Sequence, residues 1–134
     1  MARLASGKGR VMTETEQHHD EFAARLDLIG VILGDSGLDV IPTFYADEKS
    51  RGARGRCRRG PYELTMSYEF SVEDLCRLQL SVAKGRRALK MTYDGQWHCQ
   101  SARNPNYQIH GLPEASAERL LREMVKLVAD TPAA

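Results

Sequence analysis

The most distinctive chemistry in the sequence lies between Lys49 and Arg59, where six basic side chains occur with no acidic one. They are Lys49, Arg51, Arg54, Arg56, Arg58 and Arg59. Arginine offers a planar fork of donors that suits phosphate and carboxylate groups. The glycines at 52, 55 and 60 predict a flexible loop over residues 48–60 that becomes ordered on an acidic partner. A solvated loop that only aids solubility is an equal alternative.

The rest of the chain is acidic, in contrast to this basic segment. The net charge is +1. Outside this segment, the remaining 13 of the 19 Lys and Arg residues are outnumbered by the 18 acidic residues. A basic segment on an acidic body creates a local positive potential for phosphate or carboxylate. Lys84, Arg86 and Arg87 form a second basic turn, which we expect at the same end of the sheet.

The three cysteines, Cys57, Cys76 and Cys99, lie about twenty residues apart with no C-x-x-C pair. This spacing predicts neither a disulfide framework nor a structural zinc site. We expect Cys76 and Cys99 in the core. Cys57 lies between two arginines in the basic segment, and positive charge favours the thiolate, so it is predicted to be the reactive thiol.

The histidines show no recognisable catalytic or metal-binding pattern. His18 and His19 are adjacent, and on a helix they point about 100° apart, so they cannot chelate one ion. His98 and Cys99 are neighbours on a strand and face opposite sides, and His110 lies in a predicted turn. No P-loop or G-x-S-x-G sequence occurs. The sequence therefore predicts no catalytic residue, no metal and no cofactor, and it favours a non-enzymatic protein.

Two amphipathic helices are predicted near the ends of the chain. The first begins near Thr13 with a capping box, and Gly34 and Gly37 end it. Its apolar face consists of Phe22, Leu26, Ile29 and Leu33. The second begins near Pro113, and its apolar stripe consists of Ala117, Leu120, Leu121, Met124 and Val128.

Alternating apolar residues predict strands between the helices, over 38–46, 62–70, 76–83, 87–93 and 97–101. Pro42 suggests that the first strand is at an edge or a bulge, and Asp94-Gly95 predicts a hairpin. For residues 71–83 we favour a helical turn at 71–75 before the strand, with one continuous helix as the alternative. Residues 102–113 are predicted to be a loop.

This order predicts an α+β fold, a two-layer sandwich in which an antiparallel sheet of about five strands carries both helices on one face. We expect one domain over residues 13–130 after a mobile tail over 1–12. The outline is similar to that of several small secretion-chaperone and adaptor folds, a likeness that implies no particular function. The other face of the sheet is predicted to be polar. Its residues are Glu63, Thr65, Ser67, Glu69, Arg77, Gln79, Ser81, Lys90, Thr92, Gln96, His98 and Gln100.

Three functions follow in order of preference. The first is a small adaptor or regulator whose arginine-rich segment contacts a polyanion, with nucleic acid preferred and an acidic protein as the alternative partner. The second is a chaperone-like interaction module that uses an open sheet face or edge. The third is an enzyme with a site formed by His98, His110 and a cysteine. No apolar run reaches the roughly 20 residues of a spanning helix, and no signal peptide is recognisable, so we expect a cytoplasmic protein without a membrane partner. A homodimer is compatible with the sequence, which does not determine the oligomeric state.

Overall fold

The computed structural model describes residues 14–71, 76–101 and 108–132 and contains two helices and seven strands in these ranges. In chain order they are α1 (Glu14–Asp35), β1 (Ile41–Ala46), β2 (Ser50–Arg59), β3 (Tyr62–Ser71), β4 (Cys76–Lys84), β5 (Arg87–Tyr93), β6 (Trp97–Ser101), β7 (Gln108–Leu112) and α2 (Glu114–Ala129). The predicted tail over residues 1–12 and the capping residue Thr13 lie outside the described residues.

The seven strands form one antiparallel sheet whose spatial order is the chain order, β1 to β7. The predicted α+β class is confirmed, but the sheet has seven strands where about five were predicted. Both additional strands occupy segments that the sequence analysis assigned to loops. One is β2, which contains the arginine-rich segment, and the other is β7 near the second helix.

The prediction of a flexible loop over residues 48–60 is wrong, because residues 50–59 pair with β1 on one side and with β3 on the other. Close approach by neighbouring residues explains the glycines in this strand. A Cβ atom on Gly52 would lie 2.1 Å from the carbonyl oxygen of Tyr68 and 2.8 Å from the hydroxyl of Tyr45. A Cβ atom on Gly55 would lie 2.6 Å from a methyl carbon of Val40. Glycine is therefore required here by packing and not by flexibility.

The predicted loop over residues 102–113 is wrong at its end, where β7 pairs with β6. His110 accordingly lies in a strand and not in a turn. The preferred strand over 76–83 is confirmed as β4, and the predicted helical turn at 71–75 falls mainly on residues outside the described ranges. The hairpin at Asp94-Gly95 is confirmed, with Tyr93 and Trp97 paired across it and Gly95 at a φ of 117°.

One core lies between the helices and one face of the sheet. The helices contribute Phe22, Ile29, Ile32, Leu33, Ala117, Leu121, Met124, Val125 and Val128. The sheet contributes Leu64, Cys76, Leu78, Leu80, Val82, Met91, Tyr93, Trp97 and Cys99. Because both helices share this core, they cover the same face, as predicted. We call the opposite side of the sheet the open face, since no described helix packs against it.

Local interactions end α1 and orient α2. Gly37, at a φ of 70°, closes α1, and the amide of Leu38 donates to the carbonyl of Leu33 at 3.1 Å. These features define a Schellman cap in which the two leucines are buried together. Arg25, in the middle of α1, donates through Nε to Glu114 at the start of α2 at 3.0 Å, so the two helices are tied together there. None of the described helices is both long and apolar enough to cross a membrane.

Candidate anion-binding face

Strand alternation divides the arginines of β2 between the two faces of the sheet. Cys57 pairs with Leu64 and packs against the core, so the odd-numbered residues of β2 point towards the helix side. The even-numbered arginines, Arg54, Arg56 and Arg58, consequently project from the open face. Their repeat of two residues spaces them about 6.6 Å apart along the strand. The structure thus turns half of the basic segment into a straight row of guanidinium groups.

This row has more positive than negative charge. Arg56 and Arg58 share one carboxylate, Glu63, with nitrogen–oxygen distances of 3.6 Å each. Their side chains are 70% and 72% exposed, so both retain free donors towards solvent. Arg54 has no ion-pair partner among the described residues. Solvent-exposed pairs of this length contribute roughly 0–1 kcal/mol, so Glu63 does not prevent either guanidinium from binding another anion.

The second basic turn lies at the same end of the sheet as the β2–β3 turn, as expected. Arg59 pairs with Tyr62, Tyr62 with Lys84, and Lys84 with Arg87, so the β2–β3 and β4–β5 turns lie at one end of the sheet. The ammonium of Lys84 lies 5.4 Å from the centre of the Tyr62 ring, a cation–π contact. Tyr62 packs against the core, so its register partners Arg59, Lys84 and Arg87 project towards the helix side, and Arg86 lies in the turn itself. We define the basic strip as Arg54, Arg56 and Arg58.

Six of the nine predicted binding residues, including the three of the second basic turn, lie away from the basic strip. Arg51 belongs to the helix side of β2 and is exposed at the opposite end of the strand. Arg59 is also on the helix side, where its guanidinium donates to the carbonyl of Thr131 at 3.4 Å. Lys49 lies in the β1–β2 turn. The structure therefore brings three of the nine predicted residues together on the open face, namely Arg54, Arg56 and Arg58.

A carboxylate stabilises the β1–β2 turn. The amides of Lys49 and Ser50 donate to Oδ1 of Asp47 at 2.7 and 2.8 Å. These two backbone hydrogen bonds lower the pKa of Asp47 below its ordinary value of 3.8. The turn fixes the pairing of β1 with β2 and hence the direction of the arginine row.

A groove of about 570 Å³ lies beside Arg54 at the β1 edge. It is lined on the open face by Ile41, Thr43, Tyr45, Arg54, Arg56 and Glu69. The ring of Tyr45 lies across Gly52, and its hydroxyl donates to Glu69 at 3.5 Å. Partial burial and the nearby Glu69 carboxylate raise the pKa of Tyr45. The phenol is therefore held neutral as a donor at the rim of the groove.

The edge strand β1 is exposed along its whole length. Ile41 is 75% exposed on the open face, and Phe44 is 69% exposed on the helix side. The predicted edge position of Pro42 is confirmed. Two large apolar side chains on an unpaired sheet edge are unusual, because edges are commonly protected by charge or by covering elements.

The three thiols lie on the helix side of the sheet. Cys76 and Cys99 are buried, as predicted, and burial raises the pKa of Cys99. Cys57 is the most accessible of the three, but it is half-buried in a strand and not exposed in a loop. The arginines next to it in sequence point to the opposite face. Its predicted role as the reactive thiol thus depends on accessibility more than on neighbouring charge.

His98 and His110 lie directly opposite each other on β6 and β7. The sequence predicted a turn at His110 and therefore did not predict this pairing. Their Nδ1 atoms are 2.9 Å apart, and Nε2 of His98 lies 2.9 Å from Oδ1 of Asp94. Cys99 faces the core and cannot join them, so the hypothetical enzyme site lacks its thiol. The alternation of polar and apolar residues in "QIHGL" was the sequence signal for β7.

Within the described ranges, no three His, Cys, Asp or Glu side chains are close enough together to hold a metal ion between them.

The class that the geometry defines is a two-layer α+β protein with a basic strip on an uncovered sheet face. Comparison of the chain with protein-family models, curated proteins and solved structures finds no match.

Proposed function

We propose that the protein is a non-enzymatic adaptor that binds the phosphate backbone of nucleic acid through the basic strip. The observation that carries this proposal is the regular row of Arg54, Arg56 and Arg58 on one strand of the open face. A linear series of like charges suits a partner whose charge also repeats along its length. Guanidinium groups bind phosphate oxygens in a bidentate geometry.

The composition of the open face favours contacts to the backbone over contacts to bases. Sequence-tolerant single-strand binding usually depends on aromatic side chains on which bases stack. Tyr45 is the one Phe, Trp or Tyr residue that the described part of the open face offers, and its ring lies over Gly52. We therefore expect weak sequence preference and strong salt dependence.

The test replaces Arg54, Arg56 and Arg58 together by Gln and measures binding to a fluorescent single-stranded oligonucleotide across a salt series. Each lost phosphate contact should reduce the slope of log affinity against log salt by about 0.7, so the triple variant should be flatter by about 2. A matched control replaces Arg119, Arg122 and Lys126 of α2 by Gln, which changes the net charge equally on the other layer.

The proposal requires the control to retain the slope of the parent protein. Equal losses in the two variants would show that only net charge matters. If an acidic polypeptide such as polyglutamate displaces the oligonucleotide at lower charge concentration than competing nucleic acid does, the partner is an acidic protein and the proposal is wrong.

A second candidate function rests on the exposure of β1. An extended segment of a partner protein could add to this edge as an eighth strand, with main-chain hydrogen bonds giving affinity and Phe44 giving apolar contact. A side chain on the open face of the added strand would lie over the groove beside Arg54, which favours an acidic residue there. This candidate matches the chaperone-like hypothesis.

Selection from a random peptide library tests this candidate. Enriched peptides should alternate apolar and acidic residues and should lose affinity for the Phe44→Lys variant. Retained affinity in that variant, or enrichment without the alternation, would contradict strand addition at β1. The basic-strip variant described above should still select the same apolar positions, which separates the two candidate functions.

A further inference from the structure

Three polar side chains form a hydrogen-bonded row on the open face, at the edge of the sheet opposite to β1. Asp94 contacts His98, and His98 contacts His110, with both distances 2.9 Å. The row involves the β5–β6 hairpin and the paired strands β6 and β7. It lies apart from the basic strip, and the proposed function does not use it.

The hydrogen bond to Asp94 fixes the protonation pattern of the row. A carboxylate only accepts, so Nε2 of His98 carries the proton and Nδ1 of the neutral ring has a lone pair. This lone pair faces Nδ1 of His110, which donates to it. Two imidazole nitrogens of neighbouring strands therefore face each other across a single proton.

We propose that this pair is a binding site for a divalent transition-metal ion, with Nδ1 of His98 and Nδ1 of His110 as its two protein ligands. Neutral imidazole suits copper, nickel and zinc, and histidine ligands commonly donate their other ring N–H to a carboxylate. Asp94 occupies that supporting position. On binding, His110 moves its proton from Nδ1 to Nε2, so the neutral pair releases none.

The separation of the two nitrogens and the preference of each ion for nitrogen ligands together rank the ions. With metal–nitrogen bonds of about 2.05 Å, the observed 2.9 Å separation corresponds to a nitrogen–metal–nitrogen angle of about 90°. A tetrahedral ion such as zinc would need a separation of about 3.3 Å. An angle near 90° is typical of square-planar and octahedral centres, so Cu²⁺ and Ni²⁺ require the smallest displacement of the nitrogens, and Cu²⁺ also has the highest affinity for nitrogen ligands among the divalent ions of this series.

The surroundings allow an ion to enter. His98 is held by Asp94 with its side chain 20% exposed, whereas His110 is exposed on the edge strand β7. On binding, the exposed His110 ring swings away from the His98 lone pair, so that the ion lies on that lone pair and Nδ1 of His110 turns towards the ion. Water or a partner's side chain completes the coordination, because the pair supplies two ligands only.

Titration of the full chain with Cu²⁺, and separately with Ni²⁺, tests the site by calorimetry and, for Cu²⁺, by electron paramagnetic resonance. The parent should bind one ion with nitrogen couplings from two imidazoles. His110→Ala should weaken binding by at least about tenfold, and Asp94→Asn by about 10–100-fold. His18→Ala, which removes a histidine of α1, is the matched control and should bind as the parent does.

Equal affinity of the parent and His110→Ala would overturn the site, as would an equal loss in His18→Ala or coupling to a single nitrogen. Circular dichroism verifies that each variant is folded before titration. If His110→Ala were unstable, His98→Gln would provide the same test, because it removes the half-buried ligand and leaves His110 in place. Affinity for nucleic acid should be unchanged in all these variants, so this test and that of the proposed function fail independently.

Discussion

Replacement of Gly52 by Ala should destabilise the protein strongly, because the added methyl group has no room between β1 and β3. Its carbon would lie 2.1 Å from the Tyr68 carbonyl oxygen, whereas ordinary contact begins at about 3.4 Å. The hydroxyl of Tyr45, at 2.8 Å, blocks the other side. Either β2 moves by roughly an ångström, or the hydrogen bonds to β3 break.

The magnitude follows from these two consequences. Overpacking of a well-packed site costs about 1–3 kcal/mol, and loss of one ladder hydrogen bond adds about 1 kcal/mol. The free energy of unfolding should therefore fall by about 2–4 kcal/mol. With a urea m-value of about 2 kcal/mol/M, the unfolding midpoint should fall by about 1–2 M.

Gly30→Ala is a control with the same chemical change and the opposite expected sign. Gly30 lies within α1, and a Cβ atom there meets nothing within 4 Å. Alanine is favoured over glycine inside helices by about 1 kcal/mol, so this variant should be more stable than the parent. Urea unfolding can be followed by the fluorescence of Trp97, the single tryptophan, which is 1% exposed. A Gly52→Ala midpoint equal to that of the parent would refute the pairing of β2 and, with it, the arginine row.

Three further predictions concern thiols, pH and the core. Under limiting iodoacetamide, peptide mapping should find Cys57 alkylated first, whereas earlier labelling of Cys99 would contradict its burial. The folded state lowers the pKa of Asp47, so its contribution to stability is present above pH 3.8 and is lost as pH falls through the lower folded value. The gap in urea midpoint between parent and Asp47→Ala should consequently narrow from pH 7 to pH 3. Leu121→Ala should cost about 2–5 kcal/mol, whereas Leu127→Ala, at a 52% exposed position of the same helix, should change stability by less than about 0.5 kcal/mol.

Alternation and helical periodicity predicted the elements in which burial follows one consistent pattern. The residues Leu64, Leu78 and Met91 lie on the inner face because apolar side chains at every second position leave water together. The hairpin at Asp94-Gly95 was predictable because its turn chemistry is local. These signals identified five strands and both helices.

Strand β2 could not be recognised in the same way, because its strand conformation depends on its neighbours. Glycine and arginine give little local preference for a strand, and the reason for Gly52 lies in Tyr45 and Tyr68 on adjacent strands. The two-residue repeat of Arg54, Arg56 and Arg58 was present in the sequence, but the glycines in the same segment favoured the prediction of a loop. The pairing of His98 with His110 similarly depends on the register between β6 and β7, which no local pattern contains.

Chain order and strand order coincide, and this has a consequence for synthesis on the ribosome. Each strand pairs only with its neighbours in sequence, so the sheet can grow hairpin by hairpin as the chain emerges. The contact between α1 and α2, by contrast, joins residues 89 positions apart. Until α2 is made, the inner leucines of the sheet have only α1 to cover them. The nascent chain must therefore pass through a stage at which a nearly complete sheet exposes the part of its apolar face that α2 later covers, and aggregation during expression should be governed by how soon α2 docks.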